Sequence, residues 1–142
     1  IENAIKCVDC KIATLSLNQE NVDSLAGLMR DGYIENLTIM GSDFFAVHEK
    51  YALMEYMREV LDIDNRFQMI VARTHIKVIM FETSRGNKFV IHGSANLRSS
   101  SNYEQIVIEQ NAEMYDFFSK FFADLGEKYK TINHKVKKKT KE

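Results

Sequence analysis

Residues 74–96, THIKVIMFETSRGNKFVIHGSAN, contain the pattern that decides the fold. Residues 74–81 are rich in residues that favour strands, and they predict a β-strand. Residues 84–87, SRGN, are typical of a turn, and residues 88–92 predict a second strand that runs back beside the first. The stretch therefore predicts a β-hairpin.

Polar side chains flank this predicted hairpin. His75 and Lys77 are two residues apart, and strand alternation would point both side chains to one face. The hairpin would also bring Asn96, at the end of the stretch GSAN, back beside His75. A histidine, a lysine and an asparagine around one phosphate predict phosphodiester chemistry.

These residues resemble the signature of the phospholipase D superfamily, which is HxK, four residues, Asp, a hairpin and then GSxN (the HKD motif). The matching residues here are His75, Lys77, Glu82, Gly93, Ser94 and Asn96, followed by Asn102 and Glu104, which resemble the acidic residue that many members carry a short distance further on. Glu82 stands where the family usually has Asp, and the hairpin is a few residues longer than in small bacterial nucleases of the family. Glu82 and Asn102 are expected to support the site and not to react.

The resemblance implies a reaction that needs no metal ion and no other cofactor. Hydrolysis of a phosphodiester without a metal requires a nucleophile, a proton donor for the leaving oxygen, and cations or amides for the phosphoryl charge. We expect His75 to attack phosphorus and form a phosphohistidine intermediate, while Lys77 and Asn96 hold the nonbridging oxygens. Glu104 would accept a hydrogen bond from an imidazole nitrogen.

Gly93 and Ser94 are expected to bind substrate. Gly93 has no side chain, so it permits a close approach of the chain. Ser94 would donate a hydrogen bond either to a phosphate oxygen or to the backbone turn.

The proton donor must be a second histidine. In the family a second HxK motif supplies it. This sequence has one HxK in the predicted strand-hairpin context, at His75 and Lys77, whereas the other HxK, at His48 and Lys50, lies in a predicted helix. A symmetric homodimer that joins two copies of His75 across a two-fold axis is the simplest completion of the site.

The predicted function is a phosphodiesterase, with a nuclease, and specifically an endonuclease, as the favoured form. The short chain and its basic end favour DNA or RNA over phospholipid as the partner. Two alternatives stay open: an enzyme that hydrolyses phospholipid or transfers phosphatidyl groups, and a catalytically silent module of the same fold that binds nucleic acid.

Composition and charge predict one compact domain with a basic tail. The chain has 142 residues, of which 45% are hydrophobic, enough for one core. Residues 128–142 contain seven lysines and one glutamate, a charge of +6, whereas residues 1–127 contain 12 basic and 19 acidic side chains. We therefore predict a phospholipase D-like domain at 1–127 and a flexible tail at 128–142, which either binds phosphates or stays solvated.

No apolar run approaches the roughly 20 residues of a membrane helix, and the first residues do not resemble a signal peptide. We expect no integral membrane segment and a cytoplasmic protein. The chain begins with Ile1 and not with Met, as an excised domain or a processed product would.

The other histidines and the two cysteines lack motif support. His48, His92 and His134 are expected to be surface or structural residues. Cys7 and Cys10 form a lone CxxC, and a zinc site usually needs a second ligand pair. A redox pair is also possible in principle, but the sequence after Cys10 continues as a predicted strand, so ordinary thiols are the preferred interpretation.

Hydrophobic periodicity predicts a mixed α/β fold, a β-sheet flanked by helices, that corresponds to one phospholipase D-like half-unit. The predicted strands are 9–17, 34–40, 66–72, 74–81, 88–92 and 105–108. The predicted helices begin at Asn18 or Asn21, at Ser42 and at Asn111, and end at Gly32, at Leu61 and at Gly126. The phenylalanines of the last helix are expected in the core or at an interface.

Overall fold

The structure is a computed structural model, and it describes residues 5–14, 17–42, 51–94, 104–128 and 131–132. The described elements are β1 (Cys7–Thr14), α1 (Gln19–Arg30), β2 (Leu37–Ser42), α2 (Tyr51–Leu61), β3 (Phe67–Ala72), β4 (Val78–Thr83), β5 (Lys88–Gly93), β6 (Ile106–Gln110), α3 (Ala112–Lys128) and β7 (Thr131–Ile132).

The described strands form a single mixed sheet in the order β6-β5-β4-β1-β2-β3-β7. β1, β2 and β3 are parallel and follow one another through helical crossovers, whereas β4, β5 and β6 are joined to β1 and to one another by antiparallel pairing. The predicted α/β class and the predicted hairpin between β4 and β5 are confirmed.

One edge of the sheet collects the strand ends that matter for function. β1, β2, β3 and β5 end there, and β4 and β6 begin there, because Val78 lies opposite both Ala13 and His92 and Gly93 lies opposite Ile106. We call it the carboxyl edge. In open α/β sheets, ligands bind outside the carboxyl ends of the parallel strands.

Each face of the sheet carries its own core. Ile12 and Ile39 pack with residues of α1 and α2 on one face. Met40 and Met80 pack with Tyr115 and other residues of α3 on the opposite face. Neighbouring strand residues such as Ile39 and Met40 are both fully buried, as expected for a strand with layers on both faces.

Capping residues set the helix ends, largely as predicted. The Asn18 side-chain oxygen accepts a hydrogen bond from the backbone N–H of Asn21 at 3.0 Å, and Gly32, with a φ of +81°, follows the end of α1. The Asn111 side-chain oxygen accepts from the N–H of Met114 at 3.0 Å. The predicted cap at Ser42 is the last residue of β2, and residues 43–50 lie outside the described residues.

The prediction that Gly126 ends the last helix is wrong, because α3 continues through Lys128. A Cβ at Gly126 would lie 3.3 Å from Cδ1 of Ile70, so this glycine permits close packing of α3 on β3. The predicted domain boundary after residue 127 also falls inside α3, and β7 pairs with β3 at the sheet edge. The division into a domain at 1–127 and a flexible basic tail at 128–142 stays a prediction, and residues 133–142 lie outside the described residues.

Both cysteines are free thiols on β1. Cys10 is buried, and a hydrogen bond to Cys7 together with this burial raises its pKa well above the ordinary value. That hydrogen bond lowers the pKa of the half-buried Cys7. β1 continues past Cys10 to Thr14. This agrees with the predicted strand after Cys10, on which the interpretation as ordinary thiols depended. No helix within the described part of the chain is long and apolar enough to cross a membrane.

Candidate active site

The segment that carries His75 and Lys77 is not a strand, which corrects the sequence prediction. Residues 73–77 connect β3 to β4 without regular structure, and β4 begins only at Val78. Thr74 explains the late start, because its N–H donates to the carbonyl of Ala72 at 3.0 Å and its hydroxyl oxygen accepts from the N–H of Ile76 at 3.2 Å. Such local side-chain hydrogen bonds compete with strand pairing.

His75 and Lys77 nevertheless lie together. The Lys77 ammonium donates to the carbonyl oxygen of His75 at 3.4 Å, and the His75 side chain is exposed whereas Lys77 is half-buried. The register between β4 and β5 pairs Val78 with His92. Lys77, just before β4, and Gly93, at the end of β5, are therefore the next pair of residues at the carboxyl edge.

Gly93 is required by the approach of a neighbouring backbone. It pairs with Ile106 at the end of β5, and a Cβ on Gly93 would lie 1.8 Å from the carbonyl oxygen of Gln105. No side chain fits there. The close approach expected at Gly93 is thus observed, and the group that approaches is the chain's own backbone.

Ser94 links the end of β5 to the start of β6 through hydrogen bonds. Its N–H donates to the carbonyl of Gln105 at 3.0 Å, and its hydroxyl oxygen accepts from the N–H of Gln105 at 3.0 Å. The same hydroxyl donates to the carboxylate of Glu104. We call this set, Ser94 with Glu104 and Gln105, the serine clamp.

The serine clamp gives Ser94 and Glu104 contacts that the sequence did not predict, while their predicted roles stay predictions. The Ser94 hydroxyl donates to a carboxylate, where the sequence predicted donation to a phosphate or to the backbone turn. Glu104 is exposed at the carboxyl edge and holds Ser94 through Oε2. The hydrogen bond from an imidazole to Glu104 stays a prediction. In a dimer, the donor would be the His75 of the same chain or that of the second copy.

Glu82 lies away from this group, and its predicted supporting role stays a prediction. It sits four residues along β4 from Val78, about 13 Å away at the usual rise of a strand, and pairs with Lys88 and Asp9. There its charge, after burial and the charge of Asp9, raises the pKa of Tyr115. Glu82 thus belongs to a charged cluster beneath α3.

Two predicted site residues, Asn96 and Asn102, lie outside the described residues, as do His48 and His134. His92 is described, and its Nε2 lies 2.9 Å from a carboxylate oxygen of Glu109 on β6. This pairing agrees with a structural histidine. In the described part of the chain, no three His, Cys, Asp or Glu side chains are grouped so that they could hold a metal ion.

Three further polar residues lie at or beside the carboxyl edge, and the sequence motif does not include them. Thr14 and Ser42 are buried at the ends of β1 and β2, and Arg73 is exposed just before the segment of His75. The sequence feature that could have indicated Thr14 and Ser42 is a hydroxyl residue at the end of an apolar strand. Arg73 adds a second cation near Lys77 in the sequence.

Comparison with known proteins identifies the fold. No protein-family model matches the sequence, and no curated protein matches it. Among solved structures, Nuc from Salmonella typhimurium, a phospholipase D family member, is similar with a TM-score of 0.66 and 14% identity over 89% of this chain and 83% of that one. TrmBL2, an archaeal chromatin protein, is similar with a TM-score of 0.53 and 11% identity over 86% of this chain and 44% of that one.

A third similar structure, the yeast tyrosyl-DNA phosphodiesterase 1, has a TM-score of 0.47 and 16% identity over 72% of this chain. The chain spans 25% of the length of that protein. The likeness to Nuc covers most of both chains. The chain therefore has the phospholipase D fold.

Proposed function

We propose that the chain is a phosphodiesterase that needs no metal ion, with His75 as the nucleophile and one active site formed by two copies of the chain. The observation that carries this proposal is the placement of His75. Its side chain is exposed at the carboxyl edge, beside Lys77 and at the strand ends that the serine clamp holds together.

The proposed reaction has two steps. The His75 imidazole attacks phosphorus, the bond to the leaving oxygen breaks, and the leaving alkoxide takes a proton from the His75 of the second copy. Water then attacks the phosphohistidine and gives its proton to that second imidazole, which frees the first. The Lys77 ammonium, by its charge, and the Asn96 amide, by donating a hydrogen bond, stabilise the charge that builds on the nonbridging oxygens.

The proposed substrate is DNA or RNA, cleaved internally. Residues 133–142 include Lys135, Lys137, Lys138, Lys139 and Lys141, and such a run binds phosphate backbones without reading the base sequence. Arg73 adds positive charge just before His75.

One observation favours a second candidate, a silent module that binds nucleic acid. TrmBL2 shares the fold and is described as a chromatin protein with a novel mode of DNA binding. The presence of His75 and Lys77 in this chain supports turnover over binding alone. Hydrolysis of phospholipid is the remaining alternative.

A substrate panel tests these candidates directly. Purified protein is incubated with plasmid, single-stranded DNA, RNA, a chromogenic phosphodiester and phosphatidylcholine vesicles, each with and without EDTA. We expect cleavage of at least one nucleic acid and of the chromogenic diester, at rates that EDTA leaves unchanged. Binding without cleavage would support the silent module, and activity restored only by added Mg²⁺ would refute the metal-independent reaction.

A further inference from the structure

The edge of the sheet opposite the carboxyl edge, where β1 begins and β4 ends, holds two thiols on one face. Cys7 pairs with Thr83 and Cys10 pairs with Phe81 across β1 and β4. Residues three apart on a regular strand point to opposite faces, but the register shifts by one residue between Cys7 and Asp9. This β-bulge returns Cys7 to the face of Cys10, and both side chains belong to the core beneath α1 and α2.

Both thiols line a pocket at this edge, which we call the thiol pocket. Its volume is about 320 Å³, at the lower end of the range of roughly 300–1,000 Å³ that is usual for ligand pockets. Most of its other lining residues are apolar, namely Ile5, Leu28, Tyr33, Ile34 and Phe81. Ile5, Leu28 and Tyr33 are exposed, so the apolar rim of the pocket is open to solvent. The thiol pocket therefore offers an apolar molecule a route to the two sulfur atoms.

The two thiols differ in access and in acidity. Cys7 is half-buried, and its Sγ donates to the carbonyl oxygen of Asp9 at 3.3 Å, whereas Cys10 is 6% exposed. A hydrogen bond from the Cys10 thiol lowers the pKa of Cys7, although burial opposes this effect and the charges of Asp9 and Lys11 act in opposite directions. The same hydrogen bond and burial raise the pKa of Cys10. Cys7 is thus the nucleophile of the pair, and Cys10 stabilises its thiolate.

The strand geometry distinguishes this pair from a redox disulfide. The partners of the two cysteines, Thr83 and Phe81, are two residues apart on β4, so the cysteine Cβ atoms lie about 6.6 Å apart at the usual rise of a strand. A disulfide needs Cβ atoms about 3.5–4.5 Å apart. The observed register suits a hydrogen bond between the sulfur atoms. The chemistry that fits the pocket is therefore addition to Cys7, while Cys10 stays a thiol.

We propose that Cys7 is a covalent binding site for a small apolar electrophile of the α,β-unsaturated carbonyl class. The thiolate sulfur forms a bond to the β-carbon, the π electrons of the C=C bond move towards the carbonyl oxygen, and the resulting enolate takes a proton from solvent. The proton that Cys7 loses goes to solvent, so the net reaction adds the thiol across the double bond. This site lies at the opposite edge of the sheet from His75, and it does not depend on the proposed function.

The lining of the thiol pocket selects this class of ligand. The polarizable sulfur of Cys7 suits an electrophilic carbon, and the apolar side chains around it bury the rest of an apolar ligand. Lys6 also lines the pocket and would supply an ammonium for the carbonyl oxygen. A peroxide or a charged disulfide gains nothing from an apolar lining, so oxidation is the weaker alternative.

The test is labelling of the full chain with two maleimides, one that carries a phenyl ring and one that carries a sulfonate. Mass spectrometry with fragmentation distinguishes Cys7 from Cys10, and each rate is divided by the rate of the same reagent with glutathione, so that intrinsic reactivity cancels. We expect Cys7 to react at least about 10-fold faster with the phenyl reagent than with the sulfonate on this scale, because the pocket buries the ring. Cys10 should stay unlabelled, and Cys7→Ser should lose the labelling.

Two further variants test the pocket and the hydrogen bond. Leu28 is exposed at the rim, so Leu28→Gln should keep the fold but reduce the preference for the phenyl reagent at least about threefold. Phe117→Gln is the matched control, since Phe117 is 68% exposed on α3 and does not line the pocket. Cys10→Ala should shift the pH–rate profile of labelling to higher pH, and Cys10→Ser, which keeps a donor, should restore part of the shift.

Equal normalised rates for the two reagents, labelling of Cys10 ahead of Cys7, or an unchanged preference in Leu28→Gln would overturn the proposal. A disulfide between Cys7 and Cys10 that forms readily with oxidised glutathione would make the pair redox-active and overturn it as well. If circular dichroism shows that Cys10→Ala is unfolded, the reagent comparison and Leu28→Gln decide the proposal without that variant.

Discussion

His75 is the residue on which the proposed chemistry depends. Its side chain is exposed, so His75→Ala should leave the free energy of unfolding nearly unchanged. The same change should lower kcat for the chromogenic diester by at least about 1,000-fold, because it removes the nucleophile. Steady-state kinetics and urea unfolding of the variant measure the two effects.

His92→Ala is the control for that variant. His92 is one residue from Gly93, but its side chain contacts Glu109 on β6, and half-exposed polar contacts of this kind contribute little to stability. We expect nearly wild-type kcat. Near-normal rates in His75→Ala, or a loss of rate in His92→Ala alone, would show that the nucleophile or the acid has been misassigned.

Gly93 has a structural consequence that can be measured separately. In Gly93→Ala the new Cβ would meet the carbonyl oxygen of Gln105 at 1.8 Å, so β5 and β6 must separate at the carboxyl edge. We expect a loss of about 1–3 kcal/mol in the free energy of unfolding, the usual cost of overpacking, and a large loss of activity. Urea unfolding measures the stability.

Gly27→Ala is the matched glycine control. Gly27 lies within α1, and the nearest atom to its added Cβ is a flexible guanidinium nitrogen of Arg30 at 3.9 Å. The change should stabilise the protein by up to about 1 kcal/mol through helix propensity. If Gly93→Ala is as stable as Gly27→Ala, the close approach at the serine clamp does not exist.

At the scale of elements, hydrophobic alternation and turn residues were sufficient to predict the sheet. The turn at residues 84–87 and the caps at Asn18 and Asn111 depend on hydrogen bonds and backbone geometry within a few residues. Such short-range features can be recognised from the residue types in the sequence. The hairpin and both helix starts follow from them. This is why the α/β class was predictable.

Three features were not predictable from the sequence pattern, each for its own reason. Residues 74–77 have strand-forming side chains, yet the Thr74 hydroxyl holds the N–H of Ile76 in a local turn. Gly126 has the appearance of a helix stop, but packing on Ile70 explains it. Glu82 has the right spacing for the motif, yet the straight course of β4 carries it away from His75.

The packing of α3 on β1 and β5 gives a prediction for pH. Burial, followed by the charges of Asp9 and Glu82, raises the pKa of Tyr115 above its ordinary value. The folded chain therefore keeps this proton where the unfolded chain loses it, so the associated stability is present below pH of about 10 and declines as pH rises further.

Tyr115→Phe isolates this effect. The Phe ring keeps the contact with the ammonium groups of Lys11 and Lys88, which lie 5.7 and 5.3 Å from the ring centroid, but it cannot ionise. Urea unfolding at pH 8 and at pH 10.5 should show that the wild type loses more stability than the variant. Equal losses in both proteins would contradict the account of Tyr115.

For the whole molecule, the uneven charge predicts how substrate binding responds to salt. Replacing Lys135, Lys137, Lys138, Lys139 and Lys141 by glutamine removes five positive charges and leaves β7 untouched. Binding of labelled DNA should weaken at low salt, and its salt dependence should flatten, while kcat at saturating DNA stays similar. Fluorescence anisotropy across salt concentrations measures this, and an unchanged slope would mean that the tail is solvated.

The exposure of Ile106 and Ile108 on β6 is a feature that the sequence alone does not reveal. Ile106 and Ile108 alternate in the manner of an ordinary half-buried strand, so nothing in the sequence says that the covering layer is missing. Their exposure follows from the sheet order, which places β6 at the end of the described sheet.

The central claim is that two copies of His75 form one site, and mixing subunits tests it most directly. Wild-type and His75→Ala chains, distinguished by mass tags, are combined in equal amounts and allowed to exchange, and hydrolysis of the chromogenic diester is followed. Each heterodimer retains a single His75, so activity should fall to about a quarter of the value for the same total concentration of wild type. Activity of about half, in proportion to the wild-type chains, would show that each chain carries a complete site.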